Sequence, residues 1–332
     1  MTNQPLVSIV TPSYNQGNFL PDTIQSVLEQ GYSNLEYGIM DGGSTDQTLS
    51  VIERYQDQLS WWVSENDRGQ AHAVNKGVQR SRGEIVGWLN SDDVYLPGAV
   101  EKAVRAIQNT GSDMVFGKAI TMDARGFPLN TLEFGPWGLT ELMRFRVICQ
   151  PSVFVKRSVW EEVGGLNPSY HYMLDHQLWL KIASRYQITF LDEFLAASRF
   201  HEEAKNVAAA AGFAEEIWRL VGWMRESDRL AARFRADRRR ILGGANRLSA
   251  RYLLDGGYPG RSLSAYLKAL YYWPGFTLQH IHRMTYALVN ILFGRKKRPG
   301  LRSRIAPSLV EDLGLRDWPG VTFQLENKTC DD

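Results

Sequence analysis

Two short acidic turns, each set directly after an apolar run, constrain the fold of this chain more than any other feature. Residues 35–40 lead into Asp41-Gly42-Gly43-Ser44-Thr45-Asp46, and residues 85–89 lead into Asn90-Ser91-Asp92-Asp93. Apolar runs of this length read as buried strands, and helical spacing appears between them. Alternating strands and helices predict an α/β layer fold with a mostly parallel sheet. In such a sheet, ligands bind in the crevice outside the carboxyl ends of the strands. Two acidic turns at that edge predict a place for a nucleotide and for a metal ion.

The rest of the first two hundred residues fits this plan. Residues 7–11 read as the first strand, followed by the turn Pro12-Ser13-Tyr14-Asn15-Gln16-Gly17 and a helix carrying Phe19, Ile24, Val27 and Leu28. Thr45 is placed to cap a helix through Tyr55, with Asp46 in its first turn. Residues 59–64 give a third strand, 71–78 a helix, 98–108 another helix, and 114–121 a further strand.

Charge divides the chain near residue 205. Residues 1–200 carry 16 Lys and Arg against 22 Asp and Glu, a net of −6, and residues 201–332 carry 22 against 14, a net of +8. An acidic first part suits metal binding, and a basic second part suits an anionic surface. From Glu215 onward the pattern is almost all helix, with ten Arg against three acidic residues between Arg219 and Arg251. Gly256-Gly257-Tyr258-Pro259 breaks that pattern, which predicts one helical hairpin around it. Ile291-Leu292-Phe293 followed by Arg295-Lys296-Lys297-Arg298 reads either as an interfacial membrane segment or as a packed helix with a solvated loop. The two cysteines, Cys149 and Cys330, indicate neither a disulfide framework nor a thiolate metal site. With no basic signal region at the start and no run near the roughly 20 apolar residues of a bilayer span, a cytoplasmic protein is expected, peripheral at most to the membrane.

The two turns have definite chemical capacities. The carboxylate of Asp41, beside two glycines, can accept hydrogen bonds from a base or ribose while the glycines admit close approach. Asn90-Ser91-Asp92-Asp93 offers enough oxygen to hold one Mg²⁺ or Mn²⁺ that also binds phosphate. Each could equally be an ordinary strand-to-helix turn with capping side chains. There is no G-x-x-x-x-G-K-[ST] or G-x-G-x-x-G loop, and no H-E-x-x-H or G-x-S-x-G, so the usual routes to ATP hydrolysis, dinucleotide binding and hydrolase chemistry lose their support.

Taken in order, Val7-Ser8-Ile9-Val10-Thr11-Pro12-Ser13-Tyr14-Asn15-Gln16, Asp41 to Asp46, Asn75-Lys76-Gly77, Gly83-Glu84-Ile85 and Asn90 to Asp93 resemble the family 2 glycosyltransferases. The resemblance continues through Gln150-Pro151-Ser152, Gly164-Gly165-Leu166 and Leu174-Asp175-His176-Gln177-Leu178-Trp179-Leu180 to Arg199-Phe200-His201, and covers residues 5–205. It implies a GT-A fold over residues 1–205, a nucleotide-sugar donor with UDP as first guess, a divalent cation, Mn²⁺ or Mg²⁺, and inversion at the anomeric carbon. By position it puts Pro12, Tyr14, Asn15, Asp41 and Gly43 at the nucleotide, and Asp67, Arg68, Asn75 and Lys76 toward donor phosphate and sugar. Asn90 and Ser91 then face ribose or donor sugar, Asp92 and His201 hold the metal, and Asp175 is the general base. This sequence departs from the family pattern at Asn90 and Leu174, where acidic residues are common, and at His72. Lys205 could meet a phosphate.

The expected protein is a non-processive, inverting transferase that moves one sugar to a glycan or lipid-linked glycan in polysaccharide or cell-envelope biosynthesis. A Q-x-x-R-W motif, expected of a processive synthase, is absent. The thinned carboxylates leave a second reading, a non-catalytic nucleotide-sugar or glycan-binding module. The basic, mostly helical residues 206–332 would contact the acceptor, an anionic membrane surface or a second copy of the chain. No recognised nucleic-acid fold accompanies their charge, so nucleic acid is not an expected partner.

Overall fold

The first strand is buried on both faces although it carries Ser8, Thr11 and Ser13, and the buried hydroxyls of Ser8 and Thr11 are hydrogen-bonded to Glu36 and Tyr37. β1 (Val7–Ser13) is covered at all seven positions and pairs in parallel with β2 (Leu35–Asp41) and with β4 (Ile85–Trp88). β3 (Trp61–Ser64) adds to β2, again in parallel. Val7 and Ile9 point to the layer holding α1 (Leu20–Leu28) and α2 (Thr48–Tyr55), and Val10 points to the layer holding α3 (Gln70–Arg80). Parallel strands covered by helices on both sides direct apolar residues into both layers. The computed structural model describes residues 4–201, 210–294, 305–316 and 318–322. Lys205, Cys330 and the cluster from Arg295 to Arg298 lie outside them.

Beyond β4 the sheet is mixed. Its order is β3-β2-β1-β4-β8-β6-β9-β5, with β5 (Val94–Tyr95), β6 (Met114–Asp123), β8 (Val153–Lys156) and β9 (Ile188–Phe200), and β7 (Pro128–Leu132) pairs with β6. β8 runs antiparallel to both β4 and β6, whereas β6 and β9 are parallel. The chain winds outward from β1 through β2 and β3, then crosses back to lay β4 on the other side of β1. The acidic turns leave the carboxyl ends of β2 and β4 on either side of that switch point, where an open sheet leaves a crevice. One local expectation fails: α2 begins at Thr48, and Asp46 rather than Thr45 serves its start, accepting the Thr48 N–H at 2.9 Å.

The helical region after residue 210 shares the core of the sheet. Phe213, Ile217, Leu220 and Met224 of the helix Ala210–Glu226 are buried in one apolar cluster with Leu142, Phe145, Leu174 and Leu178. The predicted hairpin is present as the helices Arg238–Asp255 and Pro259–Tyr272. Residues 305–316 and 318–322 return to the sheet, where Ile305, Val310, Leu315 and Val321 cover Val94, Ile120, Met122 and Phe194. Among the described residues no helix is long and apolar enough to cross a membrane.

Candidate active site

A cleft of about 760 Å³ opens at the carboxyl ends of β1, β2 and β4. Pro12, Tyr14, Gly42 and Gly43 form one end, Asn90 to Asp93 the floor, and Leu174 and Asp175 the far wall, with Phe213 and Tyr252 from the helical region closing it.

Asp41 builds the first turn from inside. Only 1% exposed, it accepts the Gly43 and Ser44 N–H groups at 3.1 Å, the Ser44 hydroxyl at 2.5 Å and the Ser64 hydroxyl at 2.6 Å. Those bonds occupy its acceptor capacity, and the cleft wall beside it is left to Gly42 and Gly43. A Cβ on Gly42 would lie 2.7 Å from Asp67 Oδ2 and one on Gly43 2.4 Å from Asn66 Oδ1, so side chains there would collide with the facing loop. Asn15, with φ of 52°, ties the neighbouring turn to this one: its N–H donates to Ser44 Oγ and its Oδ1 accepts from Thr45 N–H.

The second turn hangs on Asn90. Its Oδ1 accepts from Trp88 Nε1 at 2.9 Å and Gln70 Nε2 at 2.7 Å, and its Nδ2 donates to Asp93 Oδ2 at 3.1 Å and Gln150 Oε1 at 3.0 Å. Asp93 is buried, and burial first, then the Asp92 charge, raise its pKa. Asp92 faces the cleft, and its Oδ2 lies 3.0 Å from His201 Nε2. Arg199, almost wholly buried, holds the turn from behind: its side chain donates to the Asp92 carbonyl and to Asp22 Oδ2, and its N–H to Asp93 Oδ1.

Among the described residues no cluster of three His, Cys, Asp or Glu surrounds a metal-sized space. The pair Asp92 and His201 nevertheless fits a hard cation that takes its other ligands from a diphosphate. Asp92 supplies the carboxylate oxygen that a hard cation prefers, and His201, hydrogen-bonded to it at 3.0 Å, sets a nitrogen donor beside it.

Asp175 sits in the first turn of the helix Leu174–Ala183, where it accepts the His176 N–H at 2.6 Å. Burial pushes its pKa up to about 6, opposed by backbone N–H groups and assisted by the charge of Glu216. His176 is fully buried, which lowers its pKa to about 4, and its Nε2 meets the Leu142 carbonyl, so it stays neutral. Beside Asp175, Tyr172, Phe213 and Tyr252 form an aromatic wall, with ring centroids 5.1 Å and 4.2 Å apart in sequence.

The fold thus brings Pro12, Tyr14, Gly43, Asp67, Asn90, Ser91, Asp92 and Asp175 to one cleft, with His201 joined to it through Asp92. Others lie elsewhere. Asn75 exchanges two hydrogen bonds with the backbone of Leu166, Lys76 pairs with Glu65, and the Arg68 side chain is exposed outside the cleft. Gln150, Arg199 and Glu216 were not singled out as site residues from the sequence. Gln150-Pro151-Ser152 and Arg199-Phe200-His201 stood in motifs that could have pointed to the first two, and Glu216 lay in a helix with no motif.

A mixed sheet flanked by helices, with a cleft of several hundred Å³ at its switch point, is the arrangement of the GT-A class of transferase folds. Residues 8–151 match the family model for glycosyl transferase family 2. TuaG of Bacillus subtilis, a glycosyltransferase assigned to teichuronic acid biosynthesis, is 30% identical over 192 residues, 56% of this chain and 75% of that protein. The chain belongs to glycosyltransferase family 2. The mannosyltransferase PcManGT of Pyrobaculum calidifontis, in complex with GDP-Man and Mn²⁺, shares the fold with a TM-score of 0.59 at 18% identity, over 89% of each chain. S. aureus TarS 1-349 in complex with UDP-GlcNAc shares it at 0.55 and 17%, over 88% of this chain and 93% of that one. Uncharacterized glycosyltransferases of Rickettsia species match over 33% to 66% of their own length, so this chain spans only part of them.

Proposed function

We propose that the protein transfers one sugar from a nucleoside diphosphate sugar to a hydroxyl of a glycan or lipid-linked glycan, with inversion, in envelope or polysaccharide synthesis. The observation that carries this reading is the cleft with Asp92, hydrogen-bonded to His201, on its floor and Asp175 on its far wall. UDP is our first choice of nucleotide, on the likeness to a UDP-GlcNAc complex, and GDP the next. Pro12, Tyr14 and Gly43 would take the nucleoside, with Asp41 and Asn15 shaping that end through their turns. Asp67 and Ser91 would face ribose or sugar, with Asn90 acting through the floor. Asp92 and His201 would hold Mn²⁺ or Mg²⁺, which offsets the charge gathering on the leaving diphosphate when bound.

Asp175 supplies the base. The acceptor hydroxyl forms its bond to the anomeric carbon as the bond to diphosphate oxygen breaks. Its proton goes to Asp175, and the bonding electrons leave with the nucleoside diphosphate. The Tyr172–Phe213–Tyr252 wall offers a face for the acceptor ring. Only the ionised carboxylate accepts the proton, so kcat falls as pH drops through about 6.

The test is a panel of UDP- and GDP-sugars scored for diphosphate release with Mn²⁺, Mg²⁺ or chelator. Asp175→Asn should keep donor binding and lose at least about 100-fold in turnover, within the usual range for a general base. Wild-type turnover in that variant removes the base assignment. Asp92→Ala should abolish metal-stimulated release with the fold intact, and full metal-dependent activity would remove the metal assignment.

We also infer that the helical region meets an anionic membrane surface. The helix Ile281–Phe293 buries Met284 and Ala287 but leaves Ile281, Leu288, Leu292 and Phe293 in solvent.

A further inference from the structure

We propose that Glu216, on the helix Ala210–Glu226, is the positioning residue for Asp175, so that the region beyond the family motifs completes the transferase site. This rests on Asp175 being the base. Glu216 is only 6% exposed. Its Oε1 accepts the His171 N–H at 2.7 Å and its Oε2 accepts the N–H groups of Tyr172 and Met173 at 2.8 Å each. These are the three residues that lead directly into the helix Leu174–Ala183, whose second residue is Asp175.

The arrangement has a physical logic. The first N–H groups of a helix lack partners inside it, and hydrogen bonds to a charged acceptor are about twice as strong as neutral ones. A carboxylate bonded to three consecutive N–H groups fixes the path of the chain into the helix, and with it the place of the base. One turn further along, Arg219 donates to the Ser169 carbonyl at 2.8 Å and the Ser169 hydroxyl at 2.5 Å, and its guanidinium lies 4.1 Å from the centre of the Tyr170 ring. Two side chains of one helix therefore clamp residues 169–173.

Glu216 also acts on the base through its charge. Around Asp175 stand the His176 N–H, the Cys149 thiol and the Tyr252 phenol, the last two kept neutral by burial. His171, Arg199, Asp92 and Asp93 border the same cleft. Of these groups Glu216 is the charged one that raises the Asp175 pKa, after burial itself. Taking its charge away makes Asp175 easier to ionise.

The experiment uses the full chain with Glu216→Gln, Glu216→Asp and Glu216→Ala. In the free protein, the carboxyl ¹³C titration of Asp175 should move down by about half a pH unit in Glu216→Gln, the scale of one nearby charge at partly screened distance. With the donor found in the panel, the acid limb of kcat should move by the same amount. Glu216→Ala should lose at least tenfold in kcat with donor KM within twofold, and Glu216→Asp should recover part of the loss. An unmoved titration in Glu216→Gln, or kcat and KM changing together, overturns the proposal. Should Glu216→Ala not fold, the Gln and Asp variants carry the test. Asp175→Asn run alongside separates the two failures: retained turnover there sinks the base assignment, whereas a dead Asp175→Asn beside wild-type Glu216 profiles sinks this inference alone.

Discussion

Asn90 stands where four hydrogen bonds converge, and the direction of each is set by its partner. Trp88 Nε1 can only donate, so it fixes the Asn90 oxygen on its own side. Gln150 spends its amide on the Trp88 carbonyl, which turns its oxygen toward Asn90 Nδ2. Asp93 Oδ2 needs the same donor. An aspartate, the residue common at this place in the family, has no amide hydrogen to give and would set a second carboxylate against Asp93. Asn90→Asp should therefore cost about 1–3 kcal/mol, the scale of buried polar groups left unpaired, read by urea unfolding, without gain in metal affinity. Tighter Mn²⁺ binding at unchanged stability would contradict this account. The departure from the family pattern was visible in the sequence, but its cause was not, because Gln150 lies 60 positions away.

At the scale of elements, the parallel strands were legible because burial on both faces concentrates apolar residues in short runs. The turns after β2 and β4 were legible because their acidic residues follow directly. Features held by distant partners were not, as with Asn75, whose side chain clamps the backbone of Leu166, and Glu216, which caps the approach to the helix Leu174–Ala183 from 45 positions away. Two helix glycines show how such contacts reverse a local rule. In the helix Arg238–Asp255, a Cβ on Gly244 would lie 1.9 Å from the Arg144 carbonyl oxygen, and Arg144 is itself tied to Asp237 at 2.5 Å. In the helix Ala210–Glu226, a Cβ on Gly222 would meet nothing within 4 Å. Gly222→Ala should stabilise by about 0.5–1 kcal/mol, as helix propensity dictates. Gly244→Ala should instead destabilise by about 1–3 kcal/mol through overpacking. Unfolding midpoints of the pair decide it, and a stabilised Gly244→Ala would mean that the helix can move off Arg144 freely.

Across the whole molecule, the charge division near residue 205 and the shared core make one polarised body. The acidic sheet carries the cleft, and the helical residues 210–294 that follow it carry 13 Lys and Arg against 6 Asp and Glu, a net of +7. Exposed apolar surface lies on the helices Pro259–Tyr272 and Ile281–Phe293: Leu292 is 65% exposed, Phe293 72% and Tyr271 73%, with Arg239 donating to the Tyr271 carbonyl at 3.3 Å. A helix of 13 residues is about 20 Å long, too short to span a bilayer but able to lie in its surface. Apolar insertion and attraction of basic residues to anionic headgroups then act together, and only the second is screened by salt. The protein should sediment with phosphatidylglycerol-containing vesicles more than with phosphatidylcholine ones, and raising salt from 0.1 to 0.5 M should remove most of the difference. Leu292→Ser with Phe293→Ser should weaken binding to both vesicle types at least tenfold, since each such side chain contributes about 1.5–3 kcal/mol when buried. Equal sedimentation with the two lipids would remove the electrostatic part. Binding unchanged by the double substitution would move the contact off this helix, and a membrane-docked transferase would then need another face.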